Sequence, residues 1–275
     1  MTLFRSICLY WIAENRKAKD CALTARSFLE SRGIQVLTAD HLRADNTPEL
    51  IITFGGDGTL LSGARTAIES NIPLIGINLG TVGFLTEEEP GNLIPTLEKI
   101  LKGQYTIEER SLLEAIHIRT GTTTFAVNDI VISRGGFARL IRVECKVNDE
   151  SYGLFTADGM IVATPTGSTG YSLSAGGPIV APEMNCMIIT PVCPHSLQHC
   201  SGVISEKSVI SMILTPERRQ SAELQIDGRN AGSLQSGDEI IIRGTDKKLR
   251  LLRLSPYRFF TLIQKKLNEW GTSHE

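Results

Sequence analysis

Gly55-Gly56-Asp57-Gly58-Thr59 stands between an apolar run that ends at Phe54 and a helix-like stretch that starts near Leu60. Glycines at a strand-to-helix turn let backbone N–H groups approach an anion, and the following helix adds the positive end of its dipole. On spacing alone the segment is as good a tight turn as a phosphate site. It is not the Walker loop, because no GKS or GKT follows, and it is not the GxGxxG dinucleotide fingerprint. Asp57 adds a chemical reason. A carboxylate beside phosphate groups is electrostatically unfavourable unless it binds a metal or accepts a proton, and in phosphoryl transfer it can take the proton of the attacking hydroxyl while a divalent cation offsets the phosphate charge. Asp57 is therefore the candidate general base. The structural alternative is an Asp that forms the turn or caps the helix.

A second constellation joins Asp158-Gly159, Thr164-Pro165-Thr166-Gly167-Ser168-Thr169-Gly170-Tyr171 and Ser174-Ala175-Gly176-Gly177-Pro178. So many small and hydroxyl residues make a poor core but a good surround for a polar ligand, with Tyr171 free to pack against a planar ring. The GxSxG elbow of a serine hydrolase is absent. Cys193, His195, His199 and Cys200 fit no zinc spacing and read as core and loop residues, so no metal ligand is assigned.

These segments need a frame. The chain has 275 residues, 41% hydrophobic and 21% charged, with a formal net charge of -2. That range suits a globular protein of two domains and excludes a global field for nucleic acid or anionic membrane. Met1 to Ala13 lacks the order of a signal peptide, and apolar runs such as Ile72 to Leu79 fall short of the ~20 residues of a membrane span. The expected location is the cytoplasm. Six cysteines scattered without a CxxC pair agree with a reducing compartment.

Residues 1–103 alternate strand-like and helix-like stretches, Ile7 to Ile12, Lys19 to Arg32, Ile34 to Leu37, Glu49 to Phe54, Leu60 to Ser70 and Pro73 to Asn78. This rhythm predicts a Rossmann-like parallel α/β domain. Residues 104–255 carry short β-branched segments: 115–119, 125–133, 141–147, 159–163, 209–214, 224–227, 239–243 and 248–254. They predict an antiparallel β domain. Ser255-Pro256 starts a last helix over 256–275, with Phe259, Phe260, Ile263, Leu267 and Trp270 on one face, expected to pack back on the first domain.

With these residues assembled, the chain resembles bacterial NAD kinases over nearly its whole length. The resemblance rests on Gly55 to Thr59, Pro73 to Gly80 with Gly83-Phe84-Leu85, Asn128-Asp129, and Asp158-Gly159 with Thr164 to Val180. Thr190-Pro191, Pro194-His195-Ser196-Leu197 and Asp227-Gly228 extend it. The glycine–aspartate motif is shared with other kinases, whereas TPTGST joined to SAGGP is specific. The resemblance implies a carboxy-terminal β-sandwich domain that binds NAD, a nucleotide cleft between the domains, and a homodimer or homotetramer. It also implies transfer of the γ-phosphoryl group of ATP to the 2′-hydroxyl of NAD, with Mg2+ or another divalent cation carried by ATP. By the same resemblance Asp57 is the proton acceptor, Gly55, Gly56, Gly58 and Thr59 form the phosphate loop, and Gly58, Phe84, Asn128, Asp129, Arg139, Asp158, Thr169, Gly170, Tyr171 and Ser174 contact NAD. Polyphosphate in place of ATP stays open. The chain departs from the family pattern at Asp129 for Glu, Gly170 for Ala, Arg229 for Gln, and at Thr81 and Thr156 where a basic residue is frequent. Competing readings are a lipid or sugar kinase and a catalytically silent NAD-binding protein.

Overall fold

The computed structural model describes residues 4–38, 47–80, 83–87, 92–135, 140–195, 200–216 and 220–272. The chain divides into two compact units, residues 1–109 with 249–275 and residues 110–248.

In the first unit the short apolar runs become β1 (Ser6–Trp11), β2 (Gln35–Thr38), β3 (Leu50–Phe54) and β4 (Leu74–Ile77). They pair in parallel in the order β2-β1-β3-β4. Strands apolar on both faces need cover on both. Helices α1 (Arg16–Ser31) and α3 (Leu93–Leu101) supply one cover, burying Ala18, Ala22, Ala25, Leu29, Leu97 and Ile100 with Ile7, Leu9, Ile52 and Ile75. Asn15 starts α1 by accepting a hydrogen bond from Ala18 N at 3.0 Å. Helix α2 (Asp57–Ser70) covers the alternate strand residues, and Gly63 allows its approach, since a β-carbon there would lie 2.8 Å from Thr53 Cγ2.

The second unit takes in the later part of β5 (Thr106–His117), β6 (Thr122–Ala126), β7 (Asp129–Arg134), β8 (Ile141–Val147), β9 (Glu150–Ala157) and β10 (Gly159–Ala163). A 3-10 turn over Thr166–Thr169 and the short helix α4 (Tyr171–Ser174) follow, then β11 (Cys186–Val192), β12 (Gly202–Ser205), β13 (Val209–Leu214), β14 (Ser221–Ile226), β15 (Arg229–Gln235) and β16 (Glu239–Arg253). One sheet runs β12-β11-β10-β7-β14-β15, all antiparallel. The start of β16, with β13, β8 and β9, forms a second antiparallel ladder. Alternate residues of both meet in one core: Ile130, Ile132, Met160, Val162 and Met187 from the first, Val143, Phe155, Ile210, Met212 and Ile240 from the second. Burying each such side chain is worth about 1.5–3 kcal/mol. The outer face of the first sheet, Val131, Ile161, Ala163 and Ile188, is covered by Ala175 and Val180. The glycine- and hydroxyl-rich segment is thus fastened to a sheet by apolar contacts. The last residues of β16 belong to the first unit, where Leu251 pairs with Leu74, and α5 (Phe259–Thr272) follows there.

The mixed architecture, a parallel sheet first and antiparallel sheets after it, agrees with the expected fold class. Local differences have local causes. The helix expected from Leu60 starts at Asp57, because Gly56 caps it. The single strand expected over 125–133 is two, broken at Val127-Asn128 where Asp227 takes the backbone N–H groups. Two expected strands, 239–243 and 248–254, are one continuous strand. Strands β9, β11, β12 and β15 were not expected: β11 is buried at every position and carries Pro191, and β15 is exposed except at Leu234, so neither alternates.

Candidate active site

The first unit turns at Gly55-Gly56 from β3 into α2. Gly55 has φ 153°, and a β-carbon on it would overlap the Thr59 hydroxyl. Gly56 and Gly58 are exposed, so their backbone faces solvent, whereas Thr59 is buried. Asp57 opens the first turn of α2, where the helix dipole favours a negative charge. Its carboxylate is held by the segment after β4. Oδ1 accepts from Leu85 N (3.1 Å), Thr86 N (3.1 Å) and Thr86 Oγ1 (3.2 Å), and Oδ2 accepts from Phe84 N at 2.7 Å. A β-carbon on Gly83 would overlap Asp57 Oδ1. A carboxylate offers about four lone-pair sites, and here they are unevenly used. Oδ2, with one donor, keeps capacity for another proton or hydroxyl.

In the second unit Asp227, at the tip of the β14–β15 hairpin, accepts from Val127 N (3.0 Å), Asn128 N (2.7 Å) and Asp129 N (3.2 Å). Asp129 is 5% exposed. Burial, and then the charge of Asp227, push its carboxyl up to about 7. Asp227 is itself raised by burial, against the three backbone N–H groups and Arg229, which pull it down. The TPTGST segment is anchored to the same place: Thr164 N donates to Asn128 O (2.9 Å), Thr164 Oγ1 to Val127 O (2.6 Å), and a β-carbon on Gly167 would overlap Asn128 O. A β-carbon on Gly170 would lie 3.8 Å from Asp129 Oδ2. Gly170 and the Asp129 carboxylate are therefore neighbours.

Asp158 is paired with Arg134, Nε to Oδ1 at 2.5 Å. The Tyr171 phenol is raised by burial and by the nearby Cys193, Asp158 and Asp129, which puts its hydroxyl end in an acidic surround. Asn128, Asp129, Asp158, Thr169, Gly170 and Tyr171 are thus gathered on one side of the unit, with Ser174 exposed at the end of α4. Arg139 and Thr81 lie outside the described residues.

Part of the hydroxyl inventory serves the loop itself. Ser168 Oγ donates to Pro165 O (2.7 Å), Val180 N donates to Ser168 Oγ (3.1 Å), and the Ser172 and Thr190 hydroxyls bond at 2.9 Å. Those side chains are buried. Sequence reasoning missed Asp227, Arg134 and Thr86 as members of the constellation. Asp227-Gly228 carries the signal of a tight hairpin, with Asp227 at φ 49° and Gly228 at φ 74°, and that signal conceals its second use. Nothing in the sequence announces Thr86 or Arg134.

Comparison with known proteins bears on this arrangement. Residues 13–105 match the model of the ATP-NAD kinase N-terminal domain and residues 127–254 that of the ATP-NAD kinase C-terminal domain. The chain is 43% identical over 224 residues to the NAD kinase of Heliobacterium modesticaldum, covering 80% of this chain and 79% of that protein. It is 38% identical over 272 residues to the NAD kinase of Syntrophotalea carbinolica, covering 92% and 95%. Among solved structures it is similar to an NAD kinase from Archaeoglobus fulgidus in complex with ATP, with TM-score 0.72, 25% identity and coverage of 90% and 92%. A yeast NADH kinase complexed with NADH shares the fold, with TM-score 0.81 at 24% identity over 91% of this chain and 84% of that one. Matched by both domain models and by full-length relatives, the chain belongs to the NAD kinase family.

Proposed function

We propose a division of labour for the reaction of this NAD kinase, which moves the γ-phosphoryl group of ATP onto the 2′-hydroxyl of the adenosine ribose of NAD to give NADP and ADP. The 2′-hydroxyl oxygen forms the new bond to the γ-phosphorus, the bond from that phosphorus to the bridging oxygen of ADP breaks, and the hydroxyl proton goes to Asp57 Oδ2. The observation that carries this reading is the uneven engagement of Asp57: three donors on Oδ1 fix its orientation and leave Oδ2 able to receive. Gly55, Gly56, Gly58 and Thr59 form the phosphate loop. The divalent cation, Mg2+ or a like ion, arrives with ATP and offsets the phosphate charge. The turn fits this arrangement, since Gly56 and Gly58 present exposed backbone while the N–H groups of Gly55 and Thr59 brace the turn on Ile77 O and Gly56 O, and its one carboxylate is already fastened by four hydrogen bonds.

In the same reading Asn128, Asp129, Asp158, Thr169, Gly170, Tyr171 and Ser174 hold NAD, with Phe84, Gly58 and Arg139 as further contacts. Asp129 and Asp158 accept hydroxyl or amino protons, and Tyr171, 44% exposed, offers its ring to a base. A homodimer or homotetramer in the cytoplasm completes the proposal; no described helix is long and apolar enough to cross a membrane.

The test is NADP formation from NAD, ATP and Mg2+, coupled to an NADP-specific dehydrogenase, with Asp57→Asn beside the wild type. Turnover that disappears in the variant supports the kinase and its base together. Wild-type turnover matched by Asp57→Asn would remove Asp57 from the chemistry.

A further inference from the structure

Phosphoryl transfer is catalysed largely by positioning and by cations placed where phosphate charge accumulates. The turn Gly55–Thr59 contributes no cationic side chain. A cavity of about 230 Å3 within the first unit supplies them, and three of the side chains in its wall are Arg253, Arg258 and Lys265.

Its position is informative. Arg253 is the last residue of β16, which runs parallel to β4, so the cavity lies at the carboxyl ends of the parallel strands. The phosphate turn leaves β3 at that same edge, and open α/β sheets bind ligands there. Thr86, also in the wall, is the residue whose N–H and hydroxyl donate to Asp57. An anion in the cavity therefore sits one side chain away from the Asp57 carboxylate.

The charges are arranged for an anion. Arg253 is 3% exposed and fixed by Glu108, by Glu87 Oε1 (2.9 Å) and by Leu85 O (3.0 Å), with its guanidinium 4.6 Å from the Tyr257 ring centre. Its Nη2 is buried and meets no acceptor among the described residues. A buried donor left unmade is destabilising, and an oxyanion would satisfy it. Glu87, the one carboxylate among the described residues of the wall, is spent on Arg253 and on Leu254 N (3.0 Å). Arg258 and Lys265 are exposed and form no ion pair among the described residues, and Ser255 and Thr261 add hydroxyl donors.

We propose that this cavity is the subsite for the terminal phosphates of ATP, with Arg258 and Lys265 as the cations that hold them and Arg253 as the fixed positioning group behind them. The proposal rests on the kinase reading, but ATP binding can be read without turnover. Phosphate recognised here has two sources, the donor's chain and the 2′-phosphate of NADP, and the experiment separates them.

The full-length protein carrying Arg258→Ala with Lys265→Ala, and the reversal Arg258→Glu with Lys265→Glu, are compared with wild type. KM for ATP and for NAD is measured, together with calorimetric binding of ATP and, without ATP, of NADP. KM and Kd for ATP are expected to rise by about a hundredfold in the alanine pair and further in the reversal, because two charge-assisted contacts to phosphate are lost together. KM for NAD stays within about twofold. The exchange Arg258→Lys with Lys265→Arg keeps both charges and restores most of the ATP affinity. ATP affinity unchanged by the reversal overturns the subsite, and NADP binding weakened as much as ATP binding assigns the cavity to the acceptor's phosphate instead. Wild type that binds ATP through these residues but forms no NADP would uphold the subsite and sink the kinase reading.

Discussion

Asp57 and Asp129 are both carboxylates in glycine-rich surroundings, and their neighbours set them apart. Asp57 meets four donors, Asp129 none that offsets its burial. Asp57→Asn nearly keeps the shape and replaces an acceptor with an amide; kcat should fall about 100-fold or more, the usual size of general-base removal, with NAD binding retained in calorimetry. For Asp129 the testable quantity is stability against pH. Its folded value of about 7 stands above the ordinary 3.8, so between about pH 4 and 7 the folded state binds more protons than the unfolded. Its contribution is complete below pH 4 and is lost as pH rises through 7. Asp129→Asn removes that loss, so the variant should gain on wild type, by the order of a few kcal/mol, in urea titrations run from pH 4 to pH 8. A constant difference across that range would show that Asp129 does not titrate there.

Elements carry these residues because glycines and one carboxylate let loops meet strand ends at short range. At Gly167 a β-carbon would collide with backbone, the Asn128 carbonyl, and backbone cannot rotate away as a side chain can. Gly167→Ala should destabilise the protein by about 2–4 kcal/mol and raise KM for NAD, seen in thermal unfolding and steady-state kinetics. Asp227 performs at the β14–β15 hairpin what a helix cap does, satisfying three consecutive N–H groups where β6 ends and β7 begins. Asp227→Ala leaves those donors buried and unmade. A loss of about 3 kcal/mol or more is expected, with faster amide exchange at Val127 to Asp129; exchange unchanged at those three amides would deny the clamp.

For the whole molecule, the reaction as proposed depends on a cation that ATP brings. Chelation with EDTA should stop turnover while NAD still binds, and added Mg2+ should restore it; turnover that persists in EDTA would mean that the chain's own cations suffice. Light scattering of the purified protein tests the proposed homodimer or homotetramer through its mass.

The division into a parallel α/β part and an antiparallel β part was legible because both signals are local. Unbroken apolar runs such as Leu50 to Phe54 and helical spacing in Ala18, Ala22, Ala25 and Leu29 depend only on neighbours in the chain. Gly55 to Thr59 and Thr164 to Tyr171 were legible for a related reason, since glycine and short hydroxyl residues in those numbers have few uses other than close approach. Strands β11 and β15 were hidden because burial on both faces, or on almost none, erases alternation. What the sequence could not show is which lone pairs remain unspent. The donors on Asp57 come from 27 to 29 residues away, those on Asp227 from 98 to 100, and the carboxylates that fix Arg253 from 145 and 166. Residue types by themselves determined that a carboxylate stands at a glycine-rich turn between a strand and a helix. Only tertiary structure decided which of its oxygens carries three donors and which carries one, because hydrogen bonds and burial at such separations arise when the chain folds and leave no periodicity behind.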